Sequence, residues 1–592
     1  MNLAISALCA LALVARAQAP RDPDTFVEAQ TEDLSSLDPA FPYDAAGQSL
    51  ILNVYDTLIA YRGASLKLLE PRLAEVVPSR ANGLISKDGR IYRFPIRRGA
   101  RFQDGTEVTA EDARYSLLRF MITDPDGGPA SLLLEPIAGR PSTRDARGRL
   151  VLDFDALSRR VRVEGRDLVV ELPRPYGPFL SVMARWSYVL PKAWCAAHGE
   201  WDGSAATWKR FNNPPRDKSY LFDHMNGAGP FRLARWDRAQ RYVLLERFDG
   251  YWRGPAALQR VLIKTVPDFG ARRLLLAGGD ADLIETPRPY LATLRGLSGV
   301  RVVDGLPRLA TDPVLLFTVA LDTAGNPDAG SGTLDGNGVP PDFFADAEVR
   351  RAFAYAMDSP SLLREALAGG GVLATGPIPP GVFGYDPKAP GYAYDPAKAA
   401  ALLKRARGGE LWRKGFRFTL AYNTGGEERL AAARALQRGV EALNPRFRID
   451  LRPVDWSTFV DLAQRRRMPM FVRGWLADYP DAHDFVYAFY DSRGRYAEAQ
   501  GFSDPVLDDW IERAAREPSR AGRLALYRRI LARGAADCPA IFTMHPFGVY
   551  AMRTWVRGFF DNPVNLGVYF YRISKRWPEG RAAPAAPGPR SR

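Results

Sequence analysis

The chain has 592 residues, 46% of them hydrophobic and 25% charged, which allows about two to four domains with ample core and excludes a fibrous or wholly disordered chain. Its formal charge is +14, yet 81 basic and 67 acidic residues are interleaved throughout and only Arg465-Arg466-Arg467 forms a tight basic cluster. Charge this diffuse makes a solvated surface rather than a phosphate-tracking patch, so no nucleic-acid partner is expected.

Residues 3–14 form a short apolar run followed by Ala15-Arg16-Ala17, a small-x-small cleavage pattern. This predicts an export leader over 1–17, with Gln18 as the new N-terminus. Ala17-Gln18-Ala19 is the alternative cut, although it places Pro20 directly after the bond. No Lys or Arg precedes the run, and a buried N-terminal helix is the competing reading. Cys9 sits too early for lipid attachment. Cys195 and Cys538 remain after cleavage, and their spacing does not decide whether they pair. No later apolar run reaches the length of a spanning helix; 314–321 is about the longest.

In chain order, Tyr92, Phe94 and Ile96 alternate as one face of a strand, and Asp104-Gly105 marks a turn. Thr109 is an N-cap with Asp112 at the third helical position, a capping-box variant, before Ala110, Ala113, Leu117 and Phe120 at helical spacing. Residues 161–172 read as a hairpin around Glu164-Gly165-Arg166-Asp167. Strands follow over 242–248 and 261–266, then a helix over 270–277 stopped by Gly278-Gly279. The stretch 323–342, rich in Gly, Asp, Asn and Pro, predicts a long surface loop; its acids lack EF-hand spacing and read as solvated turns. Ser359 caps a helix with Pro360 at its first position, ended by Gly369–Gly371. Asp395-Pro396 opens a helix ended by Gly408-Gly409, and 426–443 is amphipathic. In the next strand Phe447, Ile449 and Leu451 point inward and Arg448, Asp450 and Arg452 outward. Ser503-Asp504-Pro505 caps a helix to about 515, 519–532 forms another, and Ala540–Met544 returns as a strand. Residues 578–592 lack periodicity and predict a disordered tail.

Five segments resemble, in order, the family 5 extracellular solute-binding proteins, the periplasmic receptors of peptide-type ABC importers. Residues 88–121 are similar to the family's signature strand, turn and helix, and Ser36-Leu37-Asp38-Pro39 with Val54-Tyr55-Asp56-Thr57-Leu58 to its mature N-terminus. Residues 220–233, with Gly227-Ala228-Gly229-Pro230-Phe231, resemble its Gly-x-Gly-Pro-aromatic segment. Residues 349–358 resemble a helix of its second lobe, and Gly474-Trp475-Leu476-Ala477-Asp478-Tyr479-Pro480-Asp481 its ligand-contacting loop. The resemblance implies an α/β, two-lobe periplasmic-binding-protein fold, type II-like, with an extra subdomain in lobe one. It implies lobe one over 22–305 with a return over 548–577, the subdomain over 58–222, and lobe two over 306–547. It implies a soluble periplasmic monomer that captures a peptide between its lobes and delivers it to ABC permease subunits. Asp478 would hold the peptide's α-ammonium group. Gly474, Trp475 and Leu476, with Leu34 from lobe one, would bond its backbone; Trp456, Trp475 and Tyr479 are candidates to line the cleft, with core packing the alternative for each. Position 476 is Leu where some members have Cys, and other members bind opines, sugars or metal chelates.

Enzyme signatures are missing: there is no Gly-x-x-x-x-Gly-Lys-Ser/Thr loop, Gly-x-Ser-x-Gly elbow, His-Glu-x-x-His or Cys-x-x-Cys. His198, His224, His483 and His545 lie far apart in sequence, and Asp508-Asp509 reads as helix-surface charge rather than a hydrolytic pair. No catalytic residue, metal or cofactor is therefore expected; a periplasmic hydrolase on an α/β scaffold is the rival reading.

Overall fold

The structure, a computed structural model, describes Pro20 and residues 22–576 other than Tyr43 and Ala146. The expected leader over 1–17, Cys9 and the expected tail over 578–592 lie outside the described residues.

Two mixed sheets organise the chain. The first has seven strands in the order 300–306, 548–553, 283–285, 25–30, 260–265, 242–247, 231–237. Its centre is parallel: Thr25–Gln30 pairs with both Arg260–Thr265 and Leu283–Glu285, so parallel strands converge on one end of the sheet. The second has five strands in the order 447–454, 416–423, 470–476, 310–317, 540–542. The chain passes from the first sheet to the second between Leu306 and Ala310, and returns between Phe542 and Gly548. The described residues thus form two lobes joined by two adjacent crossings. A smaller three-stranded sheet, 91–95, 167–171 and 161–164, belongs to a segment inserted between strands of the first sheet.

Side-chain alternation makes both faces of each large sheet apolar, as strands covered on two sides require. In Ala310–Phe317, Leu315 and Phe317 enter one core while Val314 and Leu316 enter another. Met470 and Val472 join the first of these and Phe471 the second. In the seven-stranded sheet Leu283 and Met552 face the large core shared with the insertion, and Ile284 and Ala551 face a smaller one. Full burial of each such aliphatic or aromatic side chain stabilises the fold by about 1.5–3 kcal/mol.

Local signals start the helices where the sequence predicts. Thr109 and Asp112 form the reciprocal capping box of Ala110–Thr123, worth roughly 1 kcal/mol. Asp504 caps Pro505–Arg516, and Asp395 caps Pro396–Arg405. The hairpin over Val161–Glu164 and Asp167–Glu171 forms as expected.

Four expectations are corrected. Asp358, not Ser359, caps Ser359–Ala366, because its carboxylate accepts from the Ser361 N–H; Pro360 is then the second helical residue. The helix expected to end at 532 runs Arg520–Asp537, because the first αL residue is Cys538. The strand expected over Ala540–Met544 breaks at Thr543, with Ala540–Phe542 in the five-stranded sheet and Met544–Pro546 pairing with Gly371–Leu373. The 323–342 stretch is not wholly a surface loop: Asp328, Ala329 and Val339 are buried, and Asp328 receives the Arg452 guanidinium. Cys195 and Cys538 are both buried and free.

Candidate functional site

The strand Met470–Leu476 runs antiparallel to Ala310–Phe317, but its pairing with Phe416–Asn423 is confined to Met470 and Phe471. Among the described residues no strand lies beside that edge beyond Phe471. The register slips between Thr311 and Val314, and the slip brings Asp312 against Gly474. A Cβ at Gly474 would lie 2.1 Å from the Asp312 carboxyl carbon. Arg429 holds that carboxylate with two hydrogen bonds of 3.2 and 2.8 Å, so it cannot swing aside freely. The Tyr496 hydroxyl donates to the Gly474 carbonyl at 2.6 Å. Glycine at this position is required by close approach.

The strand leads into a turn rich in acids. Asp481 caps the helix Ala482–Tyr490, and Asp484 sits in its first turn. The Trp475 indole donates to Asp484 Oδ2 at 2.7 Å, and the Asp478 N–H to Oδ1 at 3.4 Å. Burial and then the neighbouring Asp478 charge push the Asp484 carboxyl well above the usual carboxylate range. Trp475, Asp478, Tyr479 and Asp484 line one side of an open pocket of about 820 Å³; Gly128, Ser131 and neighbours, from the inserted segment, line the other. Asp478 is only 7% exposed. The Tyr479 hydroxyl bonds Tyr176 Oη and His483 Nδ1, each at 2.9 Å. Burial lowers His483 to about 4, so it is neutral at physiological pH.

The insertion is strapped across this pocket onto the second lobe. Arg185 Nη1 donates to the carbonyls of Ala477 and Asp478 at 2.9 and 3.1 Å, and the Trp186 indole to that of Asp478 at 3.2 Å. The Gly177 N–H donates to the Ala515 carbonyl at 2.7 Å, and Arg174 pairs with Glu512 at 2.7 Å. The strap fixes the backbone that presents Asp478.

The residues expected at the site divide three ways. Trp475, Asp478 and Tyr479 share the pocket, although the Tyr479 hydroxyl is already bonded. Leu476 is exposed and lines a second space, a crevice of about 1180 Å³ between the lobes. Gly474 lines neither space; it packs against Asp312, and its carbonyl accepts from the Tyr496 hydroxyl. Trp456 and Leu34 line neither: Trp456 is half exposed, stacked on Phe459 with the Arg473 guanidinium 4.3 Å over its ring, and Leu34 packs against the first lobe's core. Sequence reasoning missed Asp484, Arg185, Trp186 and Tyr176. Asp484 could have been found as the acid one turn after the Pro480-Asp481 helix start; the other three carry no local signal. Among the described residues no group of three or more His, Cys, Asp or Glu side chains is placed to hold a metal ion, and no helix is long and apolar enough to cross a membrane.

The chain is similar over nearly its whole length to known proteins. It is 23% identical to the probable D,D-dipeptide-binding periplasmic protein DdpA of Escherichia coli, covering 93% of this chain and 94% of that one. The fold matches the periplasmic binding protein DppA of Helicobacter pylori in complex with the peptide STSA (TM-score 0.71, 21% identity, 93% and 98% of the two chains). It also matches the oligopeptide-binding protein AppA of Bacillus subtilis in complex with a nonapeptide (TM-score 0.70, 20% identity, 94% and 100%). A model of the bacterial extracellular solute-binding proteins, family 5 Middle, matches residues 69–497, and the chain belongs to that family.

Proposed function

We propose that the protein captures a peptide between its two lobes and delivers it to an ABC-type importer, performing no covalent chemistry itself. In this reading it is exported to the periplasm and works as a monomer. Lobe one covers 22–305 and 548–577, with an extra subdomain over 58–222, and lobe two covers 306–547. The observation that carries the proposal is the open edge of Met470–Leu476 ending beside Asp478. An extended peptide adds to such an edge through backbone hydrogen bonds, which tolerate many side chains. Its α-ammonium then meets the Asp478 and Asp484 carboxyl groups at the end of the strand. The peptides in the H. pylori and B. subtilis complexes support the same ligand class.

A buried ammonium needs its counter-charge, and removing one partner leaves the other uncompensated. Asp478→Ala is expected to cost about 2–5 kcal/mol of peptide affinity, a loss of at least about thirtyfold. N-acetylated peptide, which has no ammonium group, binds the wild type poorly for the same reason. Calorimetry with one peptide and its acetylated form, on wild type and variant, tests both halves; equal affinity in all four titrations refutes the assignment.

A further inference from the structure

The crevice between the lobes carries an excess of acid. Glu28 and Glu32 come from the first lobe's central strand and the loop after it, Glu285 from the neighbouring strand, and Glu428 from the second lobe. Two guanidiniums also face the space: Arg288 pairs with Asp304 at 2.5 Å, and Arg308 lies 5.8 Å over the Tyr550 ring. Glu28 stands out because it is only 7% exposed, and its Oε2 has no hydrogen-bond partner. Burial and then the Glu285 charge raise its carboxyl to about 8. Burial, Glu285 and Asp44 likewise raise Glu32. Burial and Asp312 raise Glu428, against Arg288 and Arg429. Burial raises Tyr550, from the strand Gly548–Arg553, so its hydroxyl stays neutral and brings no charge to Glu28. A buried carboxyl without a partner costs stability unless something completes it. A positive charge brought from outside the chain would complete it.

We infer that this crevice receives a cationic side chain of the bound ligand, so that the protein selects peptides carrying lysine, arginine or a similar basic group. The inference rests on the peptide reading above and adds the substrate class. Leu476 lines the crevice while Trp475 and Asp478 line the neighbouring pocket. A peptide whose amino terminus lies at Asp478 and whose backbone pairs along the strand edge passes Leu476, which borders the crevice holding Glu28 and Glu428. With its carboxyl raised to about 8, Glu28 is expected to release a proton when a cation docks against it at pH 7.

The test uses tripeptides with lysine, or its uncharged isostere norleucine, at the second or third position. Calorimetry is run on wild type, Glu28→Gln and Glu428→Gln, in two buffers of different ionisation enthalpy. The expected result is a lysine preference of about tenfold or more at one position, equivalent to 1.4 kcal/mol. That preference rises with pH through about 8, as Glu28 ionises. The lysine peptide releases more protons on binding than the norleucine peptide, and each Glu→Gln change weakens the lysine peptide more than the norleucine peptide. Taking the ratio of the two peptides cancels the titration of their shared α-amino group. Equal affinity for lysine and norleucine peptides overturns the inference and leaves the peptide reading standing; failure of every peptide to bind overturns both. If Glu28→Gln weakens both peptides alike, Glu28 serves the fold and the inference also fails.

Discussion

At the scale of single residues, the segments that identify the chain most clearly are structural rather than ligand-binding. Arg119, from the helix of the 88–121 segment, forks onto Asp38 with bonds of 2.8 and 2.7 Å and also reaches Glu200 at 2.6 Å. All three are buried, and Ser219 joins them. Burial alone would raise the Asp38 carboxyl, but the Arg119 charge and hydrogen bonds from Arg119, Ala40 and Ser219 outweigh it and hold Asp38 below its usual range. A buried ion group contributes little over an apolar replacement, yet removing one member leaves the rest uncompensated. Arg119→Met is therefore expected to destabilise the protein by about 3–5 kcal/mol, read from urea unfolding midpoints. The pH dependence follows from the sign of the Asp38 shift. A lowered carboxyl contributes stability that is fully present above its unfolded value of 3.8 and lost as pH falls through the folded value. The stability gap between wild type and Asp38→Asn should thus shrink as pH falls below about 4. A gap that stays constant from pH 7 to pH 3 would show that the charge of Asp38 contributes nothing.

At the scale of elements, what was legible in the sequence was what is local. The capping box at Thr109 and the Asp504-Pro505 helix start are decided by side chains within three residues of the backbone they serve, so a linear reading finds them. Phe447 and Ile449 are buried and Arg448 and Asp450 exposed because a strand alternates regardless of what covers it. The Asp358 cap was misplaced by one residue because Asp-Ser-Pro offers two cap-competent side chains and only the backbone geometry chooses between them. The site was legible as far as its strand and turn, through Gly474, Trp475 and Asp478. The partners that complete it were not: Arg185 reaches the Asp478 carbonyl across 293 positions, and Asp312 meets Gly474 only because a register slip turns it there. Trp456 was expected in the cleft on its residue type, but its ring covers Arg473 instead. The open-edged strand has its own prediction. Gly474→Ala forces a methyl group into the Asp312 carboxylate that Arg429 clamps. Overpacking of this kind costs typically about 1–3 kcal/mol. Peptide affinity should fall together with stability, because the displaced backbone is the edge to which the ligand adds. A Gly474→Ala protein with wild-type thermal unfolding would remove the close-approach account of this glycine.

At the scale of the whole molecule, two crossings between the sheets join the lobes, and the straps from the inserted segment tie it to the second lobe across the Asp478 pocket. Arg185, Trp186, Tyr176 and Arg174 bond across to residues 477–512 in the described structure, contacts that opening of the cleft would break. A ligand between the lobes can favour this state only by binding it better than the open one. The straps and the ligand then act on one equilibrium, and weakening the straps must be offset by ligand affinity. Arg185 donates charged hydrogen bonds to two carbonyls, each bond of this kind being worth about 1.5–3 kcal/mol. Arg185→Ala should shift the ligand-free protein toward the open form and lower peptide affinity by roughly tenfold or more. Because Arg185 contacts the backbone of Asp478 and lies outside the acidic crevice, the ratio of lysine to norleucine peptides should not change. Small-angle scattering should give a smaller radius of gyration for the wild type at saturating peptide than without it, and a larger ligand-free value for Arg185→Ala than for wild type. If the wild-type radius is the same with and without saturating peptide, hinge closure is refuted, while calorimetric binding would still stand on the Asp478 pocket alone.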